Sequence, residues 1–519
     1  MFITSPCHCP PVSLHTFPGW YPNQLMPTPS RFLSRRGSSG HLTITMTTTS
    51  SAGNKGQLPD PSTWVPLKSK FNDRSSLHWT SIYRAELDPH QHSELSDRLA
   101  SLVSTSSPSS CTRKADQDNP PLLTKSIAIK IVSPQLNRPP HDTLTEIKTL
   151  SSLDHPNIVP LLAHWEPPEH VNYCLFIPLY PLSLYDLLNA QKKPFDPANY
   201  SGFDVLTRRI VRDVGVGLSF LHDRSLAHRD INPTNVVLTA QGHAVLIDFG
   251  TVWPGYPSPE SESLEFELGT MPYRPPELLF GSRSYSPLAL DIWSFGALIA
   301  EFYTPMERSE DESISRDSTP PTTDNRGLRT GTVMDWYSTS DLTDPSSAVQ
   351  ECAQTGPVIR KTLFEGSIGD IGLAGSIFKI LGTPDSTTWP EAKRLPDFSK
   401  LNFHAFPKQD IRDYLPNLRF TLDLLEEKLA ICAGQEAEEV RHQIEVERRE
   451  IEEKVRMIEG FLSYESTDRI SSFRHIFSSP ERNSESNDRS DSWVWKAIAN
   501  EDQICQDTLD WFFSNESDS

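Results

Sequence analysis

The sequence predicts an α+β fold with two lobes, in which a small antiparallel β-sheet with one helix precedes a larger, mainly α-helical lobe. Three runs in the first part, Ile82–Glu86, Ser126–Val132 and Tyr173–Ile177, have strand character. One helix is predicted around residues 143–153, between the second and third runs. Farther along the chain, apolar side chains recur at helical spacing. They are Ile210, Val214, Leu218 and Leu221.

Composition limits the partners that the protein can have. The chain has 519 residues and a formal net charge of −20. Its pI near 5.3 argues against a nucleic-acid-binding surface, because such a surface needs a basic field. No apolar run approaches the roughly 18 residues that a membrane-spanning helix needs. The 7 cysteines are scattered without a disulfide spacing, as is typical of a reducing compartment. We therefore expect a protein of the nucleus and/or cytoplasm, with no nucleic-acid and no membrane partner.

The N-terminal part differs in composition from the rest of the chain. Residues 1–60 are rich in Ser, Thr and Pro and contain no acidic residue before Asp60. Such a segment buries too little apolar surface to fold, so a disordered extension is predicted. Translation starts at Met1 or, as an alternative, at Met46.

The strand and helix patterns place a small lobe at residues 65–182 and a large lobe at residues 183–477. A Ser-, Pro- and Asp-rich insertion is expected at 104–120 in the small lobe. The large lobe is interrupted twice. Residues 306–362 are rich in Ser, Thr and acids and predict a disordered insertion, whereas residues 425–459 predict a helical one.

The helical insertion is amphipathic, because its apolar residues recur at spacings of three, four and seven among many charges. Two interpretations stay open. It forms an arm that binds a partner, for instance as a short coiled coil, or it folds onto the protein's own lobe. An acidic tail follows at 478–519, and its Trp493, Trp495 and Trp511 could dock on the lobe.

Two motifs in the large lobe carry the chemistry. The segment His228–Asn235 reads HRDINPTN, and Asp248–Gly250 reads DFG a short hairpin later. Two acids and an amide at this spacing form a phosphoryl-transfer site. In such a site Asp230 would accept the proton of a substrate hydroxyl. Asn235 and Asp248 would hold the Mg²⁺ ions that neutralise the phosphates of ATP.

With Ala128–Lys130 upstream and Pro275–Glu277 downstream, these motifs make the chain resemble a eukaryotic protein kinase. The resemblance implies that Lys130 bridges the α- and β-phosphates of ATP and that Glu146 holds this lysine. It also implies that Thr270 hydrogen-bonds the catalytic aspartate.

The same resemblance implies an adenine site and two structural contacts. The adenine would lie among the side chains of Ile82, Ala128, Ile177 and Val237 and against the backbone of Pro178 and Tyr180. Asp291 would support the backbone of the catalytic loop. Glu277 and Arg469 would form an ion pair that clamps the large lobe.

Further motifs narrow the resemblance to the cyclin-dependent kinase group. The segment Leu381–Asp385 reads LGTPD and is followed by Trp389 and Pro390. The segment Tyr273–Glu277, which reads YRPPE, agrees with it.

Three departures from the family pattern bear on activity. The loop that covers the phosphates has no glycine, because Ser75, Leu77 and Thr80 occupy the three glycine positions. This loss is expected to raise the Michaelis constant for the nucleotide. Asn232 replaces the lysine that follows the catalytic aspartate by two residues. An uncharged side chain there is expected to slow the chemical step by about 10²-fold.

The third departure is Glu265, which stands at the position of the activating threonine. Its carboxylate is expected to attract Arg229 as a phosphate would, unless it is only a solvated acid. No cyclin-binding signature is visible in Arg138–Ile147. Together, these features resemble the monomeric fungal kinases that activate cyclin-dependent kinases.

The sequence therefore predicts an ATP- and Mg²⁺-dependent protein serine/threonine kinase of the cyclin-dependent group. It is expected to phosphorylate the T-loops of other kinases in cell-cycle or transcription control. Protein substrates, including other cyclin-dependent kinases, are the expected partners. A cyclin-like activator is compatible with the sequence but is not required by it.

The alternative is a pseudokinase scaffold that binds partners through its insertions. The glycine-free loop and Asn232 favour this alternative. The intact set of Lys130, Asp230, Asn235 and Asp248 disfavours it, because a decayed site usually loses an acid.

Overall fold

The computed structural model describes eleven stretches of the chain. They are residues 59, 61–67, 80–88, 90–105, 126–133, 135, 137–165, 172–255, 264–308, 358–477 and 492–516. The expected N-terminal extension therefore lies almost wholly outside the described residues. Among the described helices, none combines the length and the apolar character that crossing a membrane requires.

The small lobe is built on a five-stranded antiparallel sheet with the order β1-β2-β3-β5-β4. Its strands are β1 (Val65–Pro66), β2 (Thr80–Glu86), β3 (Ser126–Val132), β4 (Ala163–Trp165) and β5 (Tyr173–Pro178). Because side chains alternate along a strand, β3 directs Ala128 and Lys130 to one face and Ile127 and Ile129 to the other. All four are buried, so both faces of the sheet are covered.

Helix α1 (Ser93–Thr105) covers the face that carries Ile127 and Ile129. The sequence analysis did not predict this helix, which includes residues 104 and 105 of the insertion expected at 104–120. Residues 106–120 lie outside the described residues. Leu95 and Leu99 are buried in the shared apolar cluster. The guanidinium of Arg98 donates to the carbonyl of Leu161 at 3.1 Å, just before the edge strand β4. Helix α1 thereby forms an outer layer on one face of the sheet.

Helix α2 (Thr143–Ser152) covers the opposite face of the sheet. It begins where the side chain of Asp142 accepts hydrogen bonds from the backbone N–H groups of Leu144 and Thr145, at 3.0 and 3.1 Å. An aspartate at this position satisfies donors that the first helical turn leaves free. Ile147 and Leu150 face the core, and the helix thereby carries Glu146 inward.

The large lobe is mainly helical, and the predicted fold class is confirmed. Its helices are α3 (Leu184–Leu188), α4 (Phe203–His222), α5 (Pro276–Leu279), α6 (Pro287–Glu301), α7 (Gly369–Leu381), α8 (Phe420–Leu429), α9 (Gly434–Phe461), α10 (Ser466–Phe477) and α11 (Glu501–Glu516). The lobe also contains a three-stranded sheet of β6 (Leu182–Ser183), β7 (Val236–Leu238) and β8 (Ala244–Leu246). Helix α6 is buried along almost its whole length, so it belongs to the core of the lobe.

The ends of the insertion expected at 306–362 are ordered, which corrects the prediction of disorder for those residues. Strands β9 (Met306–Arg308) and β10 (Val358–Arg360) pair as an antiparallel ribbon. The guanidinium of Arg360 is buried and donates to the carbonyls of Thr304 at 2.7 Å and Phe195 at 2.5 Å. Residues 309–357 lie outside the described residues.

The second insertion consists of two antiparallel helices, α8 and α9, that pack on the large lobe. Its apolar stripe, including Val440, Ile444, Ile451 and Val455, is buried. Phe461, at the end of α9, stacks on Phe295 of α6 with ring centroids 5.8 Å apart. Of the two interpretations left open by the sequence, the helix that folds onto its own lobe is the one observed.

The C-terminal tail docks on α4. Arg209 pairs with Asp502 at 2.6 Å, and Arg212 pairs with Glu501 at 2.9 Å. The close contact requires glycine at position 202, because a Cβ there would overlap the hydroxyl of Thr508. The tail therefore forms part of the large lobe.

Trp493 is the central anchor of this tail and is almost fully buried. Its indole N–H donates to Asp204 at 3.3 Å, and its backbone N–H donates to Glu453 at 2.7 Å. Lys454 pairs with Asp204 at 2.8 Å and lies 5.0 Å from the indole centroid. Burial acts to raise the pKa of Asp204, but Lys454 and Arg208 outweigh it and hold the pKa below its usual value.

We predict that Trp493→Ala destabilises the chain by about 3–5 kcal/mol, the usual cost of truncating a buried tryptophan. Ile431, in the turn between α8 and α9, is 87% exposed, so Ile431→Ala serves as the matched control. Chemical denaturation measures both changes. A loss below about 1 kcal/mol for Trp493→Ala would mean that the tail is not anchored on the lobe.

Candidate active site

The catalytic loop begins at a strained turn. Arg229 has φ of 67°, in the left-handed region that residues with a Cβ rarely adopt. The buried carboxylate of Asp291 holds this turn by accepting hydrogen bonds from the backbone N–H groups of His228 at 2.9 Å and Arg229 at 2.6 Å. The side chain of Arg229 donates to the carbonyl of Thr251 at 2.7 Å. The loop that presents Asp230 is thereby fixed from two sides.

The carboxylate of Asp230 is surrounded by donors. Its Oδ1 accepts from the backbone N–H of Thr270 at 3.0 Å and from the Thr270 hydroxyl at 2.9 Å. Its Oδ2 accepts from the amide of Asn235 at 2.9 Å. Burial raises the pKa of Asp230, and the hydrogen bonds from Thr270 oppose this rise in part. The structure thus brings together three residues that the sequence singled out.

Asn232 takes part in the same network. Its amide nitrogen donates to Oδ1 of Asp230 and to the hydroxyl of Thr270, both at 3.0 Å. Its amide oxygen accepts from the backbone N–H of Thr234 at 2.9 Å. With 1% of its surface exposed, the side chain is committed to the loop. Asn232 therefore orients the carboxylate of Asp230, a contact that the sequence analysis did not foresee.

Lys130 joins the two lobes through two carboxylates. Its Nζ lies 2.7 Å from Oε1 of Glu146 on α2 and 2.7 Å from Oδ1 of Asp248 in the large lobe. Burial acts to lower the pKa of Lys130, but the charges of Asp248 and Glu146 outweigh it and raise the pKa. Partial burial acts to raise the pKa of Asp248, but Lys130 outweighs it and holds this pKa well below the usual range. Both groups are therefore charged at neutral pH.

The backbone after Asp248 is tightly enclosed. Asp248 has φ of 62°, and its Oδ1 accepts from the N–H of Gly250 at 3.3 Å. A Cβ at Gly250 would lie 3.2 Å from that oxygen and 3.4 Å from Nδ1 of His141. The carbonyl of Gly250 accepts from the backbone N–H of Asp142 at 2.9 Å, which ties the start of α2 to this segment. His141 was missed from the sequence, because only the packing of the lobes brings it to Asp248.

Between the lobes, the residues expected around adenine lie on neighbouring strands. Ala128 on β3 is paired with Ile177 on β5, and Ile82 on β2 is paired with Lys130 on β3. Val237, on β7, is buried on the large-lobe side. Pro178 ends β5, and Tyr180 lies two residues later. The register therefore places apolar side chains beside the lysine, as a purine site requires.

Two features predicted from the sequence are not observed as predicted. One makes a different contact in the structure, and the other lies mostly outside the described residues. Glu265 lies 3.7 Å from Arg283 and is 42% exposed, so its carboxylate pairs with Arg283 and not with Arg229. The proposed substitute for an activating phosphate is therefore wrong in this conformation. Ser75 and Leu77 lie outside the described residues, and Thr80 begins β2.

Two buried contacts, one ion pair and one hydrogen bond, support the segment that follows Thr270. Arg469 donates to Glu277 at 2.8 Å, as the family resemblance implies. Farther in, the hydroxyl of Tyr273 donates to Glu301 of α6 at 2.5 Å. Burial raises the pKa of Glu301 to about 7, although Tyr273 and Arg360 act to lower it. Sequence reasoning missed Glu301, which looks like one more polar residue at a helix end.

Comparison with known proteins identifies this arrangement. The family model described as the protein kinase domain matches residues 120–348. The chain contains a protein kinase domain. It is 27% identical over 297 residues to the serine/threonine-protein kinase csk1 of Schizosaccharomyces pombe, and the match covers 57% of this kinase and 76% of csk1.

A second relative and a solved structure extend the comparison. Over 286 residues the kinase is 26% identical to cyclin-dependent kinase F-3 of Oryza sativa subsp. japonica, covering 55% of this chain and 50% of that protein. The structure of the CAK complex from Chaetomium thermophilum bound to ATP-γ-S aligns with a TM-score of 0.47 at 17% identity. That alignment covers 79% of this chain and 88% of the other.

The kinase is thus a serine/threonine kinase of the cyclin-dependent type, and it uses ATP. The resemblance stated from the sequence motifs is confirmed. The pseudokinase alternative is not favoured. The kinase spans only half the length of one of these two relatives.

We predict that Asn232→Ala lowers kcat, because Asp230 loses a donor that orients it. A hydrogen bond to a charged group contributes about 1.5–3 kcal/mol, which corresponds to about 10- to 100-fold in rate if it is lost in the transition state. The Michaelis constant for ATP should stay within about twofold, because the side chain is engaged within the loop. Steady-state kinetics with varied ATP measure both values. A rise in this Michaelis constant at unchanged kcat would instead indicate a contact with the nucleotide.

We predict that Glu301→Gln changes how stability depends on pH. A carboxyl whose pKa is raised in the folded state stabilises the fold at low pH and loses this contribution as the pH rises through about 7. From pH 4.5 to pH 8, the free energy of unfolding of the wild type should therefore fall by about 2–3 kcal/mol relative to that of the variant. Denaturation across this pH range measures the difference. Glu307→Gln, at a 54% exposed side chain, should run parallel to the wild type.

Proposed function

We propose that Asp230 acts as the general base toward a serine or threonine hydroxyl of a protein substrate, while Lys130, held by Glu146, anchors the ATP phosphates. One observation carries this proposal. The 2.7 Å contacts from Lys130 to Glu146 and to Asp248 assemble the anchor within a single chain. The raised pKa of Asp230 favours this role, because a base works best when its pKa approaches the working pH.

We further propose that Asn235 and Asp248 hold Mg²⁺. Their donor atoms fit this ion, which prefers carboxylate and amide oxygens. Lys130 and Gly250 both donate to Oδ1 of Asp248, so Oδ2 is the oxygen left for a cation. The amide nitrogen of Asn235 is engaged by Asp230, which leaves its oxygen for the same purpose. The bound ion would neutralise charge on the phosphates.

Activity without a cyclin-like activator is part of this proposal. Three contacts within the chain support α2 in the position that Lys130 requires. Asp142 donates its N–H to Gly250, Asn137 donates to Thr143 at 2.9 Å, and Glu146 accepts from Lys130.

The proposed substrates are T-loop threonines or serines of other cyclin-dependent kinases. Support comes from the resemblance to monomeric activating kinases, namely the glycine-free loop and the lack of a cyclin signature in Arg138–Ile147. We place this reaction in the nucleus and/or cytoplasm. The test incubates the pure kinase with labelled ATP, Mg²⁺ and an unphosphorylated cyclin-dependent kinase. Label should enter the acceptor with an intact T-loop threonine and not the acceptor in which alanine replaces it.

We predict that Asp248→Asn lowers phosphorylation of any protein substrate by at least about 100-fold, because the variant loses the charge that would hold Mg²⁺ and pair with Lys130. Asp423→Asn is the matched control, since Asp423 is 56% exposed on α8 and contacts Arg419. The assay follows transfer of label at saturating ATP. Equal activity of wild type and Asp248→Asn would show that another enzyme in the preparation produces the signal.

A further inference from the structure

The activation segment, defined here as Leu264–Thr270, is bonded to the loop between α5 and α6. The backbone N–H of Leu264 donates to the carbonyl of Arg283 at 2.9 Å. The guanidinium of Arg283 lies 3.7 Å from the carboxylate of Glu265 and 4.8 Å from the ring centroid of Phe266. Both side chains of the ion pair are almost half exposed, so this pair by itself contributes little to holding the segment.

Tyr285, in the same loop, makes a more enclosed contact with the activation segment. Its hydroxyl donates to the backbone carbonyl of Glu265 at 2.5 Å. Its ring packs against the buried apolar cluster of Leu268, Leu278 and Leu290. The ring is therefore held by packing, and the hydroxyl is free to serve a separate purpose.

The same hydroxyl also meets the catalytic loop. The guanidinium of Arg229 interacts with it through its charge and through a hydrogen bond. Burial raises the pKa of Tyr285, and Arg229 opposes this rise. The sequence predicted that Arg229 would pair with the carboxylate of Glu265, but that carboxylate pairs with Arg283. The hydroxyl of Tyr285 thus lies between the catalytic loop and the activation segment.

Both sides of this contact lead to the carboxylate of Asp230. Thr270, at the end of the activation segment, donates its hydroxyl and its backbone N–H to Oδ1 of Asp230 at 2.9 and 3.0 Å. Arg229 directly precedes Asp230, and its backbone N–H donates to Asp291 at 2.6 Å. A movement of the activation segment away from Arg229 would therefore draw Thr270 away from the carboxylate that it orients.

We propose that Tyr285 is a positioning residue for phosphoryl transfer. Its hydroxyl ties the carbonyl of Glu265 to Arg229, and the activation segment thereby keeps Thr270 against Asp230. The inference rests on the proposed function, in which Asp230 is the general base. In kinases that are switched by phosphorylation, a phosphate on this segment pairs with arginine to order it. In this chain an uncharged hydroxyl makes the connection.

The test compares the full-length variant Tyr285→Phe with the wild type. This substitution removes the hydroxyl and keeps the ring in its apolar cluster. Tyr464→Phe is the matched control, because the hydroxyl of Tyr464 donates to the carbonyl of Gly382 at 2.7 Å and the same kind of contact is lost. Steady-state kinetics use varied ATP, Mg²⁺ and an unphosphorylated cyclin-dependent kinase with an intact T-loop threonine.

We expect kcat to fall about tenfold in Tyr285→Phe, while the Michaelis constant for ATP stays within about twofold of the wild-type value. Tyr464→Phe should match the wild type in both constants. Equal values of kcat for the wild type and Tyr285→Phe would overturn the proposal. A raised Michaelis constant at unchanged kcat would also overturn it, because the hydroxyl would then act on nucleotide binding.

Hydrogen exchange separates a positioning role from a general loss of stability, and it does not depend on activity. In the wild type the amides of Leu264 and Thr270 are bonded to Arg283 and Asp230. In Tyr285→Phe, peptides from the activation segment should exchange at least about tenfold faster, whereas peptides from α6 should exchange at the wild-type rate. Faster exchange throughout the large lobe would overturn the proposal, since the hydroxyl would then stabilise the whole lobe.

The two measurements also separate this inference from the function on which it rests. If the wild type transfers no label, but Tyr285→Phe still loosens the activation segment alone, the tie made by the hydroxyl stands and the proposed catalysis fails. If the wild type is active and the variant exchanges no faster in the activation segment, the tie fails and the proposed catalysis stands.

Discussion

The ammonium group of Lys130 between two carboxylates is the interaction on which the site depends. It connects β3, α2 and the segment after β8, which belong to different layers and to both lobes. A buried charge is costly unless it is paired, and Lys130 stabilises the ionised form of both carboxylates. Burial, together with repulsion from Asp248, nevertheless raises the pKa of Glu146. The cluster therefore ties the small sheet and α2 to the large lobe, and it positions the ammonium group for its proposed contact with phosphate.

Around Asp230 the buried carboxylate is stabilised by hydrogen bonds and not by an ion pair. Asp291 holds the loop backbone in a conformation that it would otherwise avoid, and Thr270, Asn232 and Asn235 direct the carboxylate. Asparagine in place of lysine removes charge from the site, but its amide still donates to the carboxylate of Asp230. The departure from the family pattern is therefore consistent with an orienting role, and it does not by itself indicate a decayed enzyme.

The elements outside the common kinase pattern enlarge the two lobes. Helix α1 closes the outer face of the small sheet, the α8–α9 pair extends the large lobe, and the tail anchored by Trp493 joins α9 to α4. All three bury apolar surface that would otherwise need a partner. Helix α2 is held separately, by the contacts of Asp142 with Gly250, of Asn137 with Thr143 and of Glu146 with Lys130.

The sequence by itself predicted the two-lobed fold and the strands and helices of the common pattern, and it named Asp230, Asn235, Asp248 and Lys130 as candidate site residues. These follow from periodicity and from motifs in which chemistry dictates residue type at fixed spacing. Tertiary structure alone decided the long-range contacts, because they join segments far apart in the chain and leave no local pattern. The pairing of Glu265 with Arg283, the pairing of Glu301 with Tyr273, and the contact of the tail with α4 belong to this class. Helix α1 was missed for a related reason, since its short apolar stripe has meaning only against the face of the sheet that it covers.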